Sequence, residues 1–148
     1  MPYKLPVSAL VVIYTSALDV LLLERADHPG YWQSVTGSQD EGEALCETAV
    51  REAYEETGLD AGLHKLTDWQ IQNVYEIYAK WQHRFPPGIT HNTEHVFGLE
   101  LSGKLPVQLS PREHLSYKWM PWQEAAAEVF SPSNRAAILL LPERVSHA

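Results

Sequence analysis

Residues 37–59 of this chain, GSQDEGEALCETAVREAYEETGL, decide its fold. From residue 44 to residue 57 the pattern is helical, because small side chains recur at three- and four-residue steps and Gly58 stands where a helix C-cap belongs. We expect this small-residue stripe to dock on a sheet, with Cys46 as a buried residue that serves packing. The stripe consists of Cys46, Ala49, Val50, Ala53 and Thr57.

The same helix carries three glutamates on one predicted face. Glu52, Glu55 and Glu56 stand at positions i, i+3 and i+4, opposite the small-residue stripe. Adjacent carboxylates repel one another unless a cation lies among them, and Arg51 or a hard divalent metal ion is the natural candidate. Glu-rich helix faces are ordinarily solvated surfaces, so the glutamates alone leave both interpretations open. If they hold a metal, their oxygens favour Mg²⁺ or Mn²⁺ together with a polyphosphate.

The arrangement of the whole stretch resembles the Nudix box. In that box a glycine, five residues, a glutamate and seven residues precede Arg-Glu-aliphatic-x-Glu-Glu-x-Gly-aliphatic, and only Ala53 is smaller than usual here. The resemblance implies an α/β (α+β) fold, the Nudix fold, with a mixed β-sheet sandwiched between helices. We expect Arg51 and Glu43 to form a structural ion pair. The matching positions are Gly37, Glu43, Arg51, Glu52, Glu55, Glu56, Gly58 and Leu59.

The Nudix resemblance also implies an activity, Mg²⁺-dependent hydrolysis of a diphosphate linkage, with Mn²⁺ able to substitute. It makes Glu52, Glu55 and Glu56 the catalytic carboxylates. The expected metal ligands are Glu52, Glu56 and the Gly37 carbonyl, whereas Glu55 binds a second metal through water or orients the attacking water. The general base stays open between Glu55 and Glu76. Phosphoryl transfer needs this kind of site, since metals on fixed carboxylates neutralise charge and hold a water in line.

Four segments outside the box resemble a bacterial group of Nudix hydrolases that cleave 7,8-dihydroneopterin triphosphate. They are residues 31–38, 85–97, 113–119 and 133–138. The resemblance implies hydrolysis of this pterin triphosphate to the monophosphate and pyrophosphate, an early step toward folate. Hydrolysis of dATP or an oxidised nucleoside triphosphate is the alternative, because a purine is also a flat bicyclic ring. A non-catalytic nucleotide-sensing module is a third hypothesis, which the intact box carboxylates disfavour.

The same resemblance implies contacts from outside the box. Glu113 is expected to be a further metal ligand that reaches in from a loop. Lys4 and Arg25 are cations next to predicted strands, which suits a triphosphate. Trp81 and Trp119, together with two tyrosines, are candidates to stack on a flat heterocycle. The expected substrate-binding residues are Lys4, Arg25, Thr36, Tyr75, Glu76, Ile77, Tyr78, Ser131 and Asn134.

Hydrophobic periodicity predicts the remaining elements. Alternating or continuous apolar residues indicate strands, and the pair Ser131-Pro132 starts a helix, with an N-cap serine and a proline in the first turn. Residues 123–130 are rich in Ala and Glu and are also expected to be helical. The predicted strands are residues 8–14, 20–25, 75–82, 97–101 and 116–120.

Composition restricts the class of protein. With 148 residues and no linker-like stretch, the chain is expected to form a single domain, 1–148. One cysteine and no signal-like start predict a cytoplasmic protein, and a formal net charge of −8 predicts that no nucleic-acid polymer is a partner. No apolar run is long enough for a membrane span. The expected partner is a small-molecule triphosphate, the oligomeric state stays open, and His114 is expected at the surface.

Overall fold

Continuous β-branched and apolar residues make Val7–Thr15 the first strand, β1, around which the sheet is built. The structure is a computed structural model that describes residues 3–145, so residues 1–2 and 146–148 of the expected domain lie outside the described residues. Within residues 3–145, six further strands join β1 in one sheet. They are β2 (Asp19–Arg25), β3 (Trp32–Gln33), β4 (Val35–Ser38), β5 (Lys65–Glu76), β6 (His91–Leu101) and β7 (His114–Pro121).

The sheet is mixed. Strand β1 pairs in parallel with β6 and antiparallel with β2 and β4. Strands β5 and β7 extend it by antiparallel pairing with β6 and β2, and β3 pairs with β2. The α-helices of the described residues are α1 (Leu45–Thr57), α2 (Trp122–Glu128), α3 (Pro132–Leu139) and α4 (Leu141–Arg144).

Both faces of β1 are buried, each in its own hydrophobic cluster. Leu10 and Val12 pack in a cluster with residues of α2, α3 and α4, whereas Val11 and Ile13 pack in a second cluster with α1. The sheet therefore lies between helices, which confirms the predicted fold class. Among residues 3–145, no helix combines the length and the apolar character that crossing a membrane requires.

Helix α1 buries a different face from the predicted one. Ala49 and Ala53 are buried as expected, but Glu52 and Glu56 are buried beside them, and Cys46 is exposed. The predictions of a buried Cys46 and of glutamates opposite the apolar stripe are therefore wrong. Residues 49, 52, 53 and 56 also follow three- and four-residue steps, so the alanines bring the two carboxylates with them, while the first turn stays largely exposed.

The prediction of a strand at residues 75–82 is wrong, because the strand in this region lies earlier in the chain. Strand β5 ends at Glu76, and Ala79–Arg84 forms a 3₁₀ helix. Most side chains of β5 are exposed, so its own sequence carries no apolar alternation that would mark it. Pairing with β6 defines the strand instead, with an irregularity in register between Asp68 and Ile71.

Gly98 of β6 lies under the buried ring of Trp69, and a Cβ at residue 98 would overlap the ring atoms. We expect Gly98→Ala to lower the free energy of unfolding by about 1–3 kcal/mol, because the overlap forces the strand or the ring to shift. Urea unfolding measures the change. Gly103→Ala is the matched control, since no atom lies within 4 Å of its added Cβ. Equal stability of the two variants would contradict this close contact.

Candidate active site

A cleft of about 700 Å³ lies between the sheet and the start of α3, beside the loop that leads into α1. Its charged end lies near β2, β4 and the loop before β7, and its polar end lies over β5 and β6. The charged end includes Lys4, Arg25, Asp27, Glu56, Arg84, Arg112 and Glu113. The polar end includes Ser8, Asn73, Tyr75, Asn92, Glu94 and Ser133.

Arg51 ties the loop before α1 to the helix itself. Its Nε and Nη2 donate to the two carboxylate oxygens of Glu43 at 2.8 and 3.0 Å, and Nη2 also donates to the Ser38 carbonyl at 3.0 Å. Its Nη1 donates to Glu52 Oε1 at 2.8 Å. The hydrogen bonds from Arg51 lower the pKa of Glu43 to about 2. The predicted ion pair between Arg51 and Glu43 is confirmed.

Glu52 and Glu56 carry their carboxylates into the contact between α1 and the sheet. Glu52 receives a hydrogen bond from Arg51, but within the described residues neither carboxylate oxygen of Glu56 has a hydrogen-bond partner. Burial raises the pKa of both carboxyl groups, and Glu52 and Glu113 raise that of Glu56 further. A Cβ at Gly37 would overlap the Glu52 carboxyl group, so this position requires glycine.

The donor set fits a hard divalent cation. Glu56 offers two buried oxygens without partners, and the Glu52 carboxyl group lies against Gly37. Within residues 3–145, no three carboxylate, imidazole or thiol side chains form a ready-made metal cage. Mg²⁺ keeps water molecules and takes phosphate oxygens as ligands, so it needs few ligands from the protein. Glu113 lies in the loop before β7, near enough to act electrostatically on Glu56.

The two candidates for the general base lie in different surroundings. Glu55 is half exposed, and its Oε2 lies 3.3 Å from Nη1 of Arg51. Glu76 is the last residue of β5, where its exposed side chain lines the cleft. The structure therefore places Glu76, and not Glu55, on the cleft wall.

His114 is buried, so its prediction as a surface histidine is wrong. Only 4% of it is exposed, and its Nε2 lies 3.6 Å from Glu56 Oε1. Burial, with the nearby charge of Arg25, lowers the pKa of His114 to about 4, so the imidazole is neutral near pH 7. Its position as the first residue of β7, paired with the last residue of β2, is the signal that sequence reasoning missed.

The cations expected to contact substrate converge at the charged end. Arg25 forms two hydrogen bonds of 2.7 Å with Asp27, and its guanidinium lies 4.3 Å from the centre of the Trp81 ring. Arg84 also binds Asp27, because its Nη2 donates to Asp27 Oδ2 at 3.1 Å. The backbone carbonyl of Arg84 accepts a hydrogen bond from the Lys4 backbone amide. Burial and the charges of Arg84 and Arg25 lower the pKa of Lys4. Positive charge is thus concentrated in the cleft of an acidic protein.

Stacked aromatic rings line the cleft between its two ends. Tyr78 stacks on Trp81 at 5.2 Å between ring centres, and Trp81 meets Phe130 edge-on at 6.3 Å. Phe130 also stacks on Tyr31 at 4.5 Å. Trp119, the other predicted stacking residue, packs against the hydrophobic cluster of α1 instead, because its side chain points to the opposite face of the sheet. Trp81 reaches the cleft from the 3₁₀ helix, not from a strand.

The start of α3 forms the remaining wall. Ser131 accepts a hydrogen bond from the Asn134 backbone amide, as the predicted N-cap requires. Ser34 holds the Asn134 side chain through two hydrogen bonds. The Ser34 backbone amide donates to Asn134 Oδ1 at 2.8 Å, and Asn134 Nδ2 donates to the Ser34 hydroxyl at 2.9 Å. The structure brings these predicted substrate residues to one cleft: Lys4, Arg25, Thr36, Tyr75, Glu76, Ile77, Tyr78, Ser131 and Asn134.

The bond between Glu43 and Arg51 makes stability depend on pH. Because the pKa of Glu43 falls from 4.5 to about 2 on folding, its contribution is complete above about pH 4.5 and is lost as the pH falls toward 2. We expect Glu43→Gln to be less stable than the parent at pH 7, by a difference that shrinks at pH 3. Urea unfolding at both pH values measures this difference. Glu41→Gln, at an exposed position of the same loop, is the control. The same pH dependence in both variants would contradict the assignment.

Comparison with known proteins agrees with this geometry. The model of the NUDIX domain family matches residues 4–141. The chain is 46% identical over 139 residues to the dihydroneopterin triphosphate diphosphatase of Escherichia coli, covering 92% of this chain and 91% of the relative. It is 38% identical over 141 residues to the Haemophilus influenzae protein of that name, covering 93% and 88% of the two chains.

The same likeness extends to a solved structure. The solved structure of the E. coli dihydroneopterin triphosphate pyrophosphohydrolase superposes on this protein with a TM-score of 0.87. The two sequences are 45% identical, and the superposition covers 93% of this chain and 95% of the other. These comparisons confirm the predicted resemblance to the bacterial group. Because the box residues assemble on α1 and its loop, and the family model matches nearly the whole chain, this protein belongs to the NUDIX domain family.

Proposed function

We propose that this protein hydrolyses 7,8-dihydroneopterin triphosphate to dihydroneopterin monophosphate and pyrophosphate with Mg²⁺ as cofactor. The observation that carries the proposal is the buried carboxylate of Glu56, which has no hydrogen-bond partner among the described residues and lies in a cleft with several cations. Relatives at 46% and 38% identity are named for this diphosphatase activity. The proposal takes residues 1–148 as one domain. The free thiol of Cys46 supports a cytoplasmic location, where thiols stay reduced.

The carboxylates at the charged end supply the cation site. When bound there, Mg²⁺ would neutralise charge on the bridging and terminal phosphate oxygens. Arg51 orients Glu52 through its 2.8 Å hydrogen bond, and a bound cation would stabilise the ionised form of Glu56, whose pKa burial raises. The groups that would hold the metal are the Glu52, Glu56 and Glu113 carboxylates and the Gly37 carbonyl.

The neighbouring cations suit a triphosphate. Burial and the positive charges of Arg84 and Arg25 lower the pKa of Lys4, so an anion in the cleft would stabilise its charged form. Arg25 is already oriented by Asp27 and Trp81, which limits the conformational freedom it loses on binding. These residues would bind the phosphates, while the tyrosines and Trp81 would contact the ring.

A nucleoside triphosphate such as dATP is the alternative substrate, because the aromatic residues would stack on any flat ring. A sensor that binds without hydrolysis is the other alternative. Purified protein is offered dihydroneopterin triphosphate and dATP separately, with and without Mg²⁺, and pyrophosphate release is measured. If the protein prefers dATP, a nucleoside triphosphate and not the pterin is its substrate. Binding without turnover would favour the sensor.

Substitution of Glu56 tests the metal site. We expect Glu56→Gln to lower kcat by about 10²–10³-fold, because the amide supplies neither the charge nor the two equivalent oxygens that a hard cation requires. The matched control is Glu47→Gln, at an exposed position of the same helix whose capping role a glutamine also fills. The control should retain the parent rate. Similar rates for all three proteins would contradict the proposed site.

Substitution of Glu76 and Glu55 tests the general base. We expect Glu76→Gln to lower kcat about 10²-fold, and more than Glu55→Gln does, because only Glu76 of this pair lines the cleft. Single-turnover rates at saturating substrate measure the chemical step directly. A larger loss of single-turnover rate in Glu55→Gln would identify Glu55 as the general base instead. If neither variant loses rate appreciably, neither residue is the general base.

A further inference from the structure

The cleft continues beyond the charged end onto a polar floor that the metal and phosphate contacts leave unused. Its centre is formed by Asn92 and Glu94 of β6, which are only 3% and 4% exposed. The two residues are separated by one position, so their side chains lie on the same face of the strand. Ser8 of β1 and Asn73 and Tyr75 of β5 line the cleft next to them.

The hydrogen bonds of this floor leave one buried acceptor of the described residues without a partner. Asn92 Nδ2 donates to Ser8 Oγ at 2.8 Å and to Tyr75 Oη at 3.1 Å, whereas Asn92 Oδ1 is buried with no partner in the described part of the chain. Glu94 accepts hydrogen bonds from two side chains, that of Ser133 and that of Asn73, whose Nδ2 lies 3.4 Å from Oε1. Burial raises the pKa of Glu94 despite its hydrogen bonds. The unpartnered Asn92 carbonyl is costly to bury unless a ligand supplies an N–H donor, and the Glu94 carboxylate has lone pairs for further donors.

Sheet register gives the spacing between this floor and β4, the strand beside the proposed metal site. Ser38, Ser8, Glu94 and Asn73 are successive partners in one row across β4, β1, β6 and β5. At about 4.8 Å between neighbouring strands, Glu94 lies about 10 Å from β4, the strand that carries Gly37. An extended triphosphate and its short polyol chain cover a separation of this order. A ring with its phosphates at the charged end therefore reaches the polar floor.

We propose that Glu94, together with Asn92 Oδ1, selects the ring of the substrate by accepting hydrogen bonds from its N–H edge. This inference rests on the proposed function. A dihydropterin places a ring N–H beside an exocyclic amino group, and guanine has the same pair of donors. Two adjacent donors match the two oxygens of a carboxylate. Adenine presents a ring nitrogen lone pair next to its amino group, which a carboxylate repels, so the site favours 2-amino-4-oxo bicycles over adenine.

The test measures kcat and KM of the parent, Glu94→Gln and Glu94→Asp on dihydroneopterin triphosphate, dGTP and dATP. We expect Glu94→Gln to lower kcat/KM about 10- to 100-fold for the pterin and dGTP, chiefly through KM, and to leave dATP within about threefold. Glu94→Asp keeps the charge, so it should retain the order of preference with a smaller loss. Glu100→Gln, on the same strand outside the cleft, is the matched control and should leave all three substrates unchanged.

Thermal unfolding separates this role from a structural one. Glutamine fills the same volume and can still accept the hydrogen bond from Asn73, so Glu94→Gln should melt no lower than the parent. Equal losses on all three substrates, or no loss on the pterin, would overturn the role of Glu94. If the parent does not cleave the pterin but prefers dGTP to dATP, and Glu94→Gln removes that preference, the proposed function is overturned. The role of Glu94 in selecting the ring would still be supported.

Discussion

The burial of two carboxylates on the sheet-facing side of α1 is the constraint on which the site depends. Ala49 and Ala53 are small enough to bring the helix close to β1, and their spacing forces Glu52 and Glu56 into the same contact. Of these two carboxylates, only Glu52 receives a hydrogen bond from Arg51 among the described residues. Burial therefore disfavours the ionised form of Glu56 and raises its pKa, and a bound cation would stabilise that form. A protein selected for stability alone would bury apolar side chains at these positions.

The parts of the fold that follow from short-range chemistry are predictable from sequence. Gly58 ends α1 in the left-handed conformation that a C-cap requires, and Ser131 caps α3 as its N-cap pattern indicates. The bond between Arg51 and Glu43 is nearly as local, because the box fixes the spacing between loop and helix. In each case the interacting residues are at most eight positions apart, so a short stretch of sequence contains the whole interaction.

The parts that sequence reasoning missed depend on contacts between distant segments. His114 is buried because β7 pairs with the end of β2, and nothing in its immediate neighbours indicates that pairing. Trp119 lies on the same strand, but its side chain joins the cluster of α1 and never reaches the cleft. Strand β5 has mostly exposed side chains and owes its existence to the ladder with β6. Periodicity reports burial, so it cannot find a strand that the sheet leaves exposed.

The division of the cleft explains why the box by itself does not specify a substrate. The groups proposed to hold the metal belong to α1, β4 and the loop before β7, whereas the polar floor belongs to β5, β6 and the start of β1. The two parts meet only through the pairing of β1 with its neighbours, so substitutions on β5 and β6 can change ring recognition without moving the carboxylates of α1. With the proposed hydrolytic groups and the proposed ring contacts on separate elements, one hydrolytic centre could be retained while the ring that is recognised changes.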